Sequence, residues 1–280
     1  MTGGRGAPER RAPAAAAGAG RAWEKGSRAH YDDPLYFTRA YRRRRDDVRY
    51  YTGLALGSGG PVLEYGCGNG RIALPIARSG IAITGVDRSA PMLRDLRRRL
   101  RGEPPSVRQR LALRRGDMCE LRLGQRFPLV LCPFNTLLHL YSRRAVERFL
   151  RRVREHLTAR GQFVFDVSVP DPEQLGADPE RRYRAPRFRH PRSGALVRYA
   201  ERFDYDPLGQ VLVVSLVFEP AGRPAAAWEV PLSLRQFFPQ EIEALLHYNG
   251  LRVLDRRGDF RPGPAPSDCT TLVYHCRARR

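Results

Sequence analysis

Val62-Leu63-Glu64-Tyr65-Gly66-Cys67-Gly68-Asn69-Gly70-Arg71 is the stretch on which the fold turns. An apolar run closes on an acid and a tyrosine, three glycines spaced by two follow, and Arg71 to Arg78 then reads as a helix. Glycine is needed where the backbone turns sharply and comes close to a ligand with no Cβ in the way. A dinucleotide fingerprint, G-x-G-x-x-G, requires its third glycine at position 71, which is Arg. A phosphate-cradling G-x-x-x-x-G-K-[ST] loop requires a lysine that this segment lacks. The glycines therefore serve another ligand.

The pattern on either side is α/β. Pro61 to Tyr65, Ile81 to Val86, Leu111 to Arg115, Leu129 to Cys132 and Gln162 to Val169 read as strands. Ala90 to Leu100 and Arg144 to Leu157 read as amphipathic helices among them. This rhythm predicts a doubly wound, mostly parallel, seven-stranded Rossmann-like sheet with right-handed crossovers. It breaks after Pro170. Pro172 to Ser193 reads as a Pro- and Arg-rich loop, and Leu196 to Tyr205, Val211 to Glu219 and Ala225 to Phe238 read as three strands of an antiparallel insertion after the fifth strand. A helix, Glu241 to Tyr248, and two strands, Leu251 to Asp255 and Thr270 to Cys276, complete the pattern. Residues 1–29, rich in Arg, Ala, Gly and Pro, predict a disordered tail. Residues 30–280 form one domain, with 180–238 as its insertion or lid. Pro34 to Leu56 predicts one or two helices with Arg42 to Arg45 on a polar face.

The chain has 280 residues and a formal net charge of +21, from 50 Lys+Arg against 29 Asp+Glu. Such a charge suggests nucleic acid, but Lys25 is the only lysine, and an excess carried by Arg alone fits a compositional bias better than selection for phosphate contacts. Cys67, Cys119, Cys132, Cys269 and Cys276 show neither a CxxC pair nor zinc-ligand spacing, which predicts reduced thiols, no metal and a cytoplasmic protein. No apolar run approaches the roughly 20 residues that span a bilayer. Arg10-Arg11 is followed by small residues with no apolar core, so no export signal is expected.

The acid-x-G-x-G-x-G loop led by Glu64 resembles the first motif of class I S-adenosylmethionine (SAM)-dependent methyltransferases. Three further segments follow in the order of that family: Gly85-Val86-Asp87-Arg88-Ser89 with Met92-Leu93, then Gly116-Asp117-Met118, then Leu129 to Asn135. The resemblance implies SAM as cofactor and S-adenosylhomocysteine as product. Glu64, Gly66, Cys67, Gly68 and Gly70 would form the cofactor loop, with Cys67 supplying small volume rather than a reactive thiol. Asp87 would accept both ribose hydroxyls beside Arg88, and Met92 would lie against the adenine. Asp117 would accept from the exocyclic amine, with the Met118 backbone at the ring edge. Cys132 would end the fourth strand beside the transferred methyl group. In similar small-molecule N- and O-methyltransferases an N-terminal segment covers SAM, which makes Tyr31 and Tyr41, with Tyr36, the candidates to reach its carboxylate and sulfonium.

The acceptor is less legible. Methyltransferases of base or glutamine amines carry [ND]-P-P-[YF] after the fourth strand, whereas this chain has Cys132-Pro133-Phe134-Asn135. His139, one turn beyond that strand on the crevice side, is the candidate general base, and Asn135 a candidate for polar positioning. Arg182, Arg184, Arg187, Arg189 and His190 are candidates to hold an anionic group of the acceptor. The expected function is methyl transfer to nitrogen or oxygen of a small molecule in specialised metabolism. The alternatives are methylation of RNA or protein docked on Arg-rich faces, or noncatalytic SAM binding, and a homodimer through the insertion is a further expectation. Replacing Gly68 or Asp87 is expected to abolish SAM binding in calorimetry, and unchanged binding in both variants would remove the cofactor assignment.

Overall fold

The computed structural model describes residues 28–279 together with Trp23 and Gly26. Most of the predicted tail lies outside the described residues; Trp23, Gly26, Arg28 and Ala29, inside its limits, are helical. The Trp23 ring lies 6.1 Å from that of Tyr141, an apolar cover that composition alone does not reveal.

A 3-10 turn, His30–Asp32, leads into helices Pro34–Tyr41 and Asp46–Ser58. Asp33 starts the first by accepting from the Leu35 and Tyr36 amides at 3.1 and 3.0 Å, with Pro34 at the position that needs no donor. Arg42 to Arg45 link the two helices instead of forming the polar face of one.

The strands are β1 (Val62–Tyr65), β2 (Ile83–Asp87), β3 (Leu111–Arg115), β4 (Phe127–Cys132), β5 (Leu157–Ser168), β6 (Tyr183–Arg189), β7 (Leu196–Asp206), β8 (Val211–Pro220), β9 (Trp228–Arg235), β10 (Leu251–Gly258) and β11 (Thr271–Ala278). The expected seven-stranded sheet has the order β10-β11-β5-β4-β1-β2-β3, and only β11 runs against the others. Central β1 is buried along its whole length, Glu64 included, as a parallel strand covered on both faces must be. On one face Phe149, Phe163, Phe165 and Tyr274 centre the core; on the other, Tyr51, Ile72, Leu74 and Leu96 do so. Helix Arg143–His156 shows why periodicity works: Val146, Phe149, Leu150 and Val153 fall on one stripe and are all buried. Among the described residues no helix is long and apolar enough to cross a membrane.

The insertion is a separate four-stranded antiparallel sheet, β6-β7-β8-β9, where the sequence predicts three strands and a loop. The missed strand is β6. A register shift between Ala185 and Phe188 breaks its two-residue period, and Pro186 within it suits only an edge. β9 is shorter than its predicted span and turns toward the main sheet, where the Ser233 carbonyl accepts from the Tyr141 hydroxyl at 3.0 Å.

The strand order reverses between β1 and β4, so the loops leaving their carboxyl ends diverge and open a crevice. A buried carboxylate braces one wall. Asp166 on β5 accepts from the Tyr51 hydroxyl at 2.5 Å and from the Phe134 and Asn135 amides at 2.8 and 3.4 Å. Phe134 and Asn135 have φ of +59° and +58°, a left-handed pair that is costly for non-glycine residues and persists because this carboxylate over-determines it. Tyr51→Phe, which leaves the buried carboxylate one donor short, is expected to lower the unfolding free energy by about 1.5–3 kcal/mol, read from the urea midpoint. A loss under about 0.5 kcal/mol would show that the brace does not stabilise the fold.

Candidate functional site

The crevice is a cavity of about 490 Å3 beneath the His30–Asp32 turn. Its floor is the glycine loop after β1. The Gly66 and Cys67 amides both donate to the Val86 carbonyl, at 2.8 and 3.1 Å, which bends the chain back over β2. Gly66 has φ +69°, and a Cβ there would stand 2.5 Å from the Thr136 side chain, so the position is closed to any other residue.

Asp87, at the end of β2, ties this loop to the next. One carboxylate oxygen accepts from the Gly68 amide at 2.7 Å and the other from the Ser89 amide at 2.7 Å. Burial pushes its pKa up, and these amides, with the neighbouring Arg88 charge, oppose the shift. Ser89 caps helix Ala90–Arg101 by accepting from the Met92 amide, and buried Met92 packs beneath Gly68. After β3, Asp117 turns the chain by accepting from the Cys119 amide at 2.7 Å, which leaves Met118 on the cavity wall.

Glu64 contributes a second acid. It is buried, its Oε2 has no hydrogen-bond partner, and burial raises its pKa to about 8. Opposite, the Tyr31 hydroxyl and His139 Nε2 are 2.7 Å apart, with the rings edge to face. Burial, helped by the Arg88 charge, lowers the His139 pKa to about 3, and burial holds the Tyr31 phenol well above its usual value. Both are uncharged at pH 7. Phe134 completes the wall beneath the Arg71 guanidinium, 4.2 Å from its ring centroid, and Arg71 is itself paired with Asp47.

Of the residues singled out in the sequence, Tyr31, Glu64, Gly66, Cys67, Gly68, Asp87, Arg88, Met92, Asp117, Met118 and His139 line the cavity. Gly70, Cys132 and Tyr41 are not among its lining residues. Gly70, at φ +82°, lets the loop close over Leu96, and Cys132 is fully buried behind the end of β4. The Tyr41 hydroxyl is spent on His30 Nε2 at 3.1 Å while its ring supports Phe134. Asn135 is likewise consumed: its amide nitrogen donates to Ser168 Oγ and its Oδ1 accepts from the Ser168 amide, both at 2.7 Å. Arg182, Arg184, Arg187 and Arg189 belong to the region of the β6 edge and do not line this cavity; Arg28, Arg71, Arg88 and Arg115 do. Sequence reading missed Phe37, Phe134 and Thr136. Phe37 falls inside the predicted Pro34 to Leu56 helical stretch with nothing to set it apart, and nothing local announces the backbone geometry that turns Phe134 into the cavity.

The sheet order, the glycine loop and the strand-end acid together define a class I SAM-dependent methyltransferase fold. SAM, the cofactor of that fold class, carries a sulfonium, an ammonium and a carboxylate, net +1, and the buried, unpartnered Glu64 oxygen and the strand-end Asp87 carboxylate give the cavity the acidic groups that suit a cation and a hydroxyl-bearing ribose. Residues 62–161 match the methyltransferase-domain family. Over 105 residues the chain is 32% identical to a dTDP-3-amino-3,6-dideoxy-alpha-D-glucopyranose N,N-dimethyltransferase of Streptomyces fradiae, a match that spans 38% of each chain and so well under half of that relative. It is similar along most of its length to the structure of the CcbJ methyltransferase from Streptomyces caelestis, with 28% identity, 83% of this chain and 95% of the other covered, and a TM-score of 0.72. DesVI of Streptomyces venezuelae, at 21% identity, with 86% and 96% covered and a TM-score of 0.62, shares the fold.

Proposed function

We propose that this protein transfers the methyl group of SAM to an amine nitrogen of a small, amino-sugar-like acceptor in specialised metabolism. The observation that carries the reading is the uncharged Tyr31–His139 pair, set in one cavity with Asp87 and Glu64. The N-methylating relative of Streptomyces fradiae supports the choice of nitrogen. The five free cysteines suit a reducing cytoplasm.

Bound SAM supplies an electrophilic methyl carbon on a positively charged sulfur. The acceptor nitrogen forms the new N–C bond with its lone pair, the C–S electron pair stays on sulfur, and a proton then leaves the nitrogen. Asp87 would hold the ribose hydroxyls, and the Asp117–Met118 turn would meet the adenine. Tyr31 and His139 orient the acceptor. With His139 protonated at Nδ1, the Tyr31 hydroxyl donates to Nε2, and its own lone pairs accept an acceptor N–H, which fixes where the nitrogen lone pair points. Holding reactants in line can supply about 7–11 kcal/mol of such a barrier. Protonating His139 at pH 7 would cost about 5 kcal/mol given a pKa near 3, so the pair orients the nucleophile and the released proton passes to solvent instead of resting on imidazole. The base role expected from sequence gives way to positioning.

Glu64 is protonated at neutral pH in the free protein and becomes a carboxylate when a cation is set beside it. SAM binding at pH 7 is therefore expected to release close to one proton, seen as a dependence of the calorimetric enthalpy on buffer ionisation enthalpy. SAM affinity should rise with pH up to about 8 and level off above it. Glu64→Gln should remove both effects; proton release that persists in that variant would assign it to another group.

Incubating the protein with cell extract and SAM labelled in its methyl group should place label in a low-mass amine, detected by mass spectrometry. Label in RNA or protein alone, or in nothing, would overturn the reading. His139→Ala should slow that transfer about 10- to 100-fold with SAM affinity within twofold of the parent, and an unaltered rate would remove His139 from the site.

A further inference from the structure

A second cavity, of about 310 Å3, lies between the His30–Asp32 turn and the small sheet. Its floor is aromatic. Phe218 stacks on Trp228 with centroids 5.2 Å apart, and Tyr36 meets Phe218 edge to face at 5.0 Å. The His190 ring lies parallel to Tyr36 at 5.7 Å and edge-on to Trp228 at 5.4 Å. Two buried imidazoles thus line one small space, His190 and, from the other side, His30, and the Nδ1 of each has no hydrogen-bond partner. Buried polar atoms left unsatisfied carry a desolvation cost, and one such atom on each of two facing elements around a cavity is the arrangement that a ligand hydroxyl or amide would complete.

The other acid beside the cavity, Asp33, is already engaged, while Asp32 stands exposed at its edge. Asp33 spends one oxygen on the helix cap and pairs through the other with Arg192 at 3.1 Å. Burial lowers the pKa of both imidazoles, that of His30 to about 4, while Asp33, 3.9 Å from His190 Nε2, opposes the shift at His190. Among the buried lining residues there is no charge for an ion to pair with, whereas a ring could lay its C–H or π face on Trp228 and Tyr36 and bring hydroxyls to the imidazoles.

The two cavities share a wall. Tyr31 faces the methyl-transfer cavity, its neighbour His30 lines the second with the rings 5.1 Å apart, and Asp32 borders both. β9 joins them lengthwise: Trp228 lies in the second cavity, and Ser233, five residues on, binds Tyr141 two residues past His139, a span of about 16 Å.

We infer that the cavity formed by His30, Tyr36, His190, Phe218 and Trp228 is a second binding subsite, which takes an uncharged, hydroxyl-bearing ring belonging to the distal part of the acceptor. The assignment of that ring to the acceptor rests on the proposed methyl-transfer reading; the existence of the site does not.

Saturation-transfer NMR on the full-length protein with saturating S-adenosylhomocysteine tests it, using phenyl β-D-glucopyranoside as probe. Transfer to the glycoside is expected, at least fivefold weaker in Trp228→Leu and in His190→Phe, with benzoate and benzylammonium giving none. Phenol and methyl β-D-glucopyranoside, run separately, tell an aromatic from a sugar ring. Calorimetric S-adenosylhomocysteine affinity equal to that of the parent marks each variant as folded, and exposed Ser193→Val takes the place of any variant that fails this control. No transfer to the glycoside, transfer abolished by S-adenosylhomocysteine, or transfer unchanged in the folded variants would overturn the subsite. Failure of the parent protein to bind S-adenosylhomocysteine would instead sink the methyltransferase reading, so the two failures are distinguishable.

Discussion

The Asp87 carboxylate is the point from which the site is built. It stands at the end of β2, accepts from the Gly68 amide on one side and the Ser89 amide on the other, and so sets two loops from two strands at a fixed separation. Taking a carboxylate out of water is costly, and direct amide donors are what make burial at this position tolerable. The neighbouring packing depends on the same alignment. Met92 sits beneath Gly68 because Ser89, held by Asp87, caps the helix that carries it, and the glycine loop reaches the end of β1 through the Val86 carbonyl one residue before Asp87. Removing that carboxylate would release the cavity floor and the helix start together.

A second buried carboxylate does the corresponding work on the β4 side of the cavity. Asp166 holds the left-handed Phe134–Asn135 pair from outside the cavity and is itself held by Tyr51 of the N-terminal helices. The N-terminal segment therefore acts on the site twice: Tyr31 enters the cavity, and Tyr51 shapes its wall through β5. What results is a cavity whose Glu64 is buried, whose Tyr31–His139 pair is neutral, and whose Arg71 is already compensated by Asp47. Neutral groups such as the Tyr31–His139 pair beside the reacting carbon favour a reaction in which a sulfonium becomes a neutral sulfide.

The glycine loop, Asp87, Met92 and Asp117 were legible in the sequence because their spacing follows from strand ends and helix starts, which are local. The central strands were legible for the same reason, being apolar without interruption. β6 was hidden by a bulge and by Pro186, which spoil the alternation that marks a strand, and its arginines then passed for an acceptor-binding loop. Gly70, Cys132 and Tyr41 stand next to the cavity in sequence or in space, yet their side of the backbone faces Leu96, the core and His30. Asp166, Phe134 and the second cavity depend on contacts between residues far apart in the chain, and no short-range pattern records them. The positive charge of the chain, conspicuous at first reading, contributes to this site through a few arginines only.

The most direct test of the central claim is an NMR measurement of SAM carrying a 13C methyl group bound to the protein, with nuclear Overhauser contacts read from that methyl to the side chains. Contacts to the ring protons of Tyr31 and His139 are the expected result, since these residues are taken to face the reacting carbon. Contacts confined to Asp117 and Met118, or bound SAM with no contact to either ring, would contradict it.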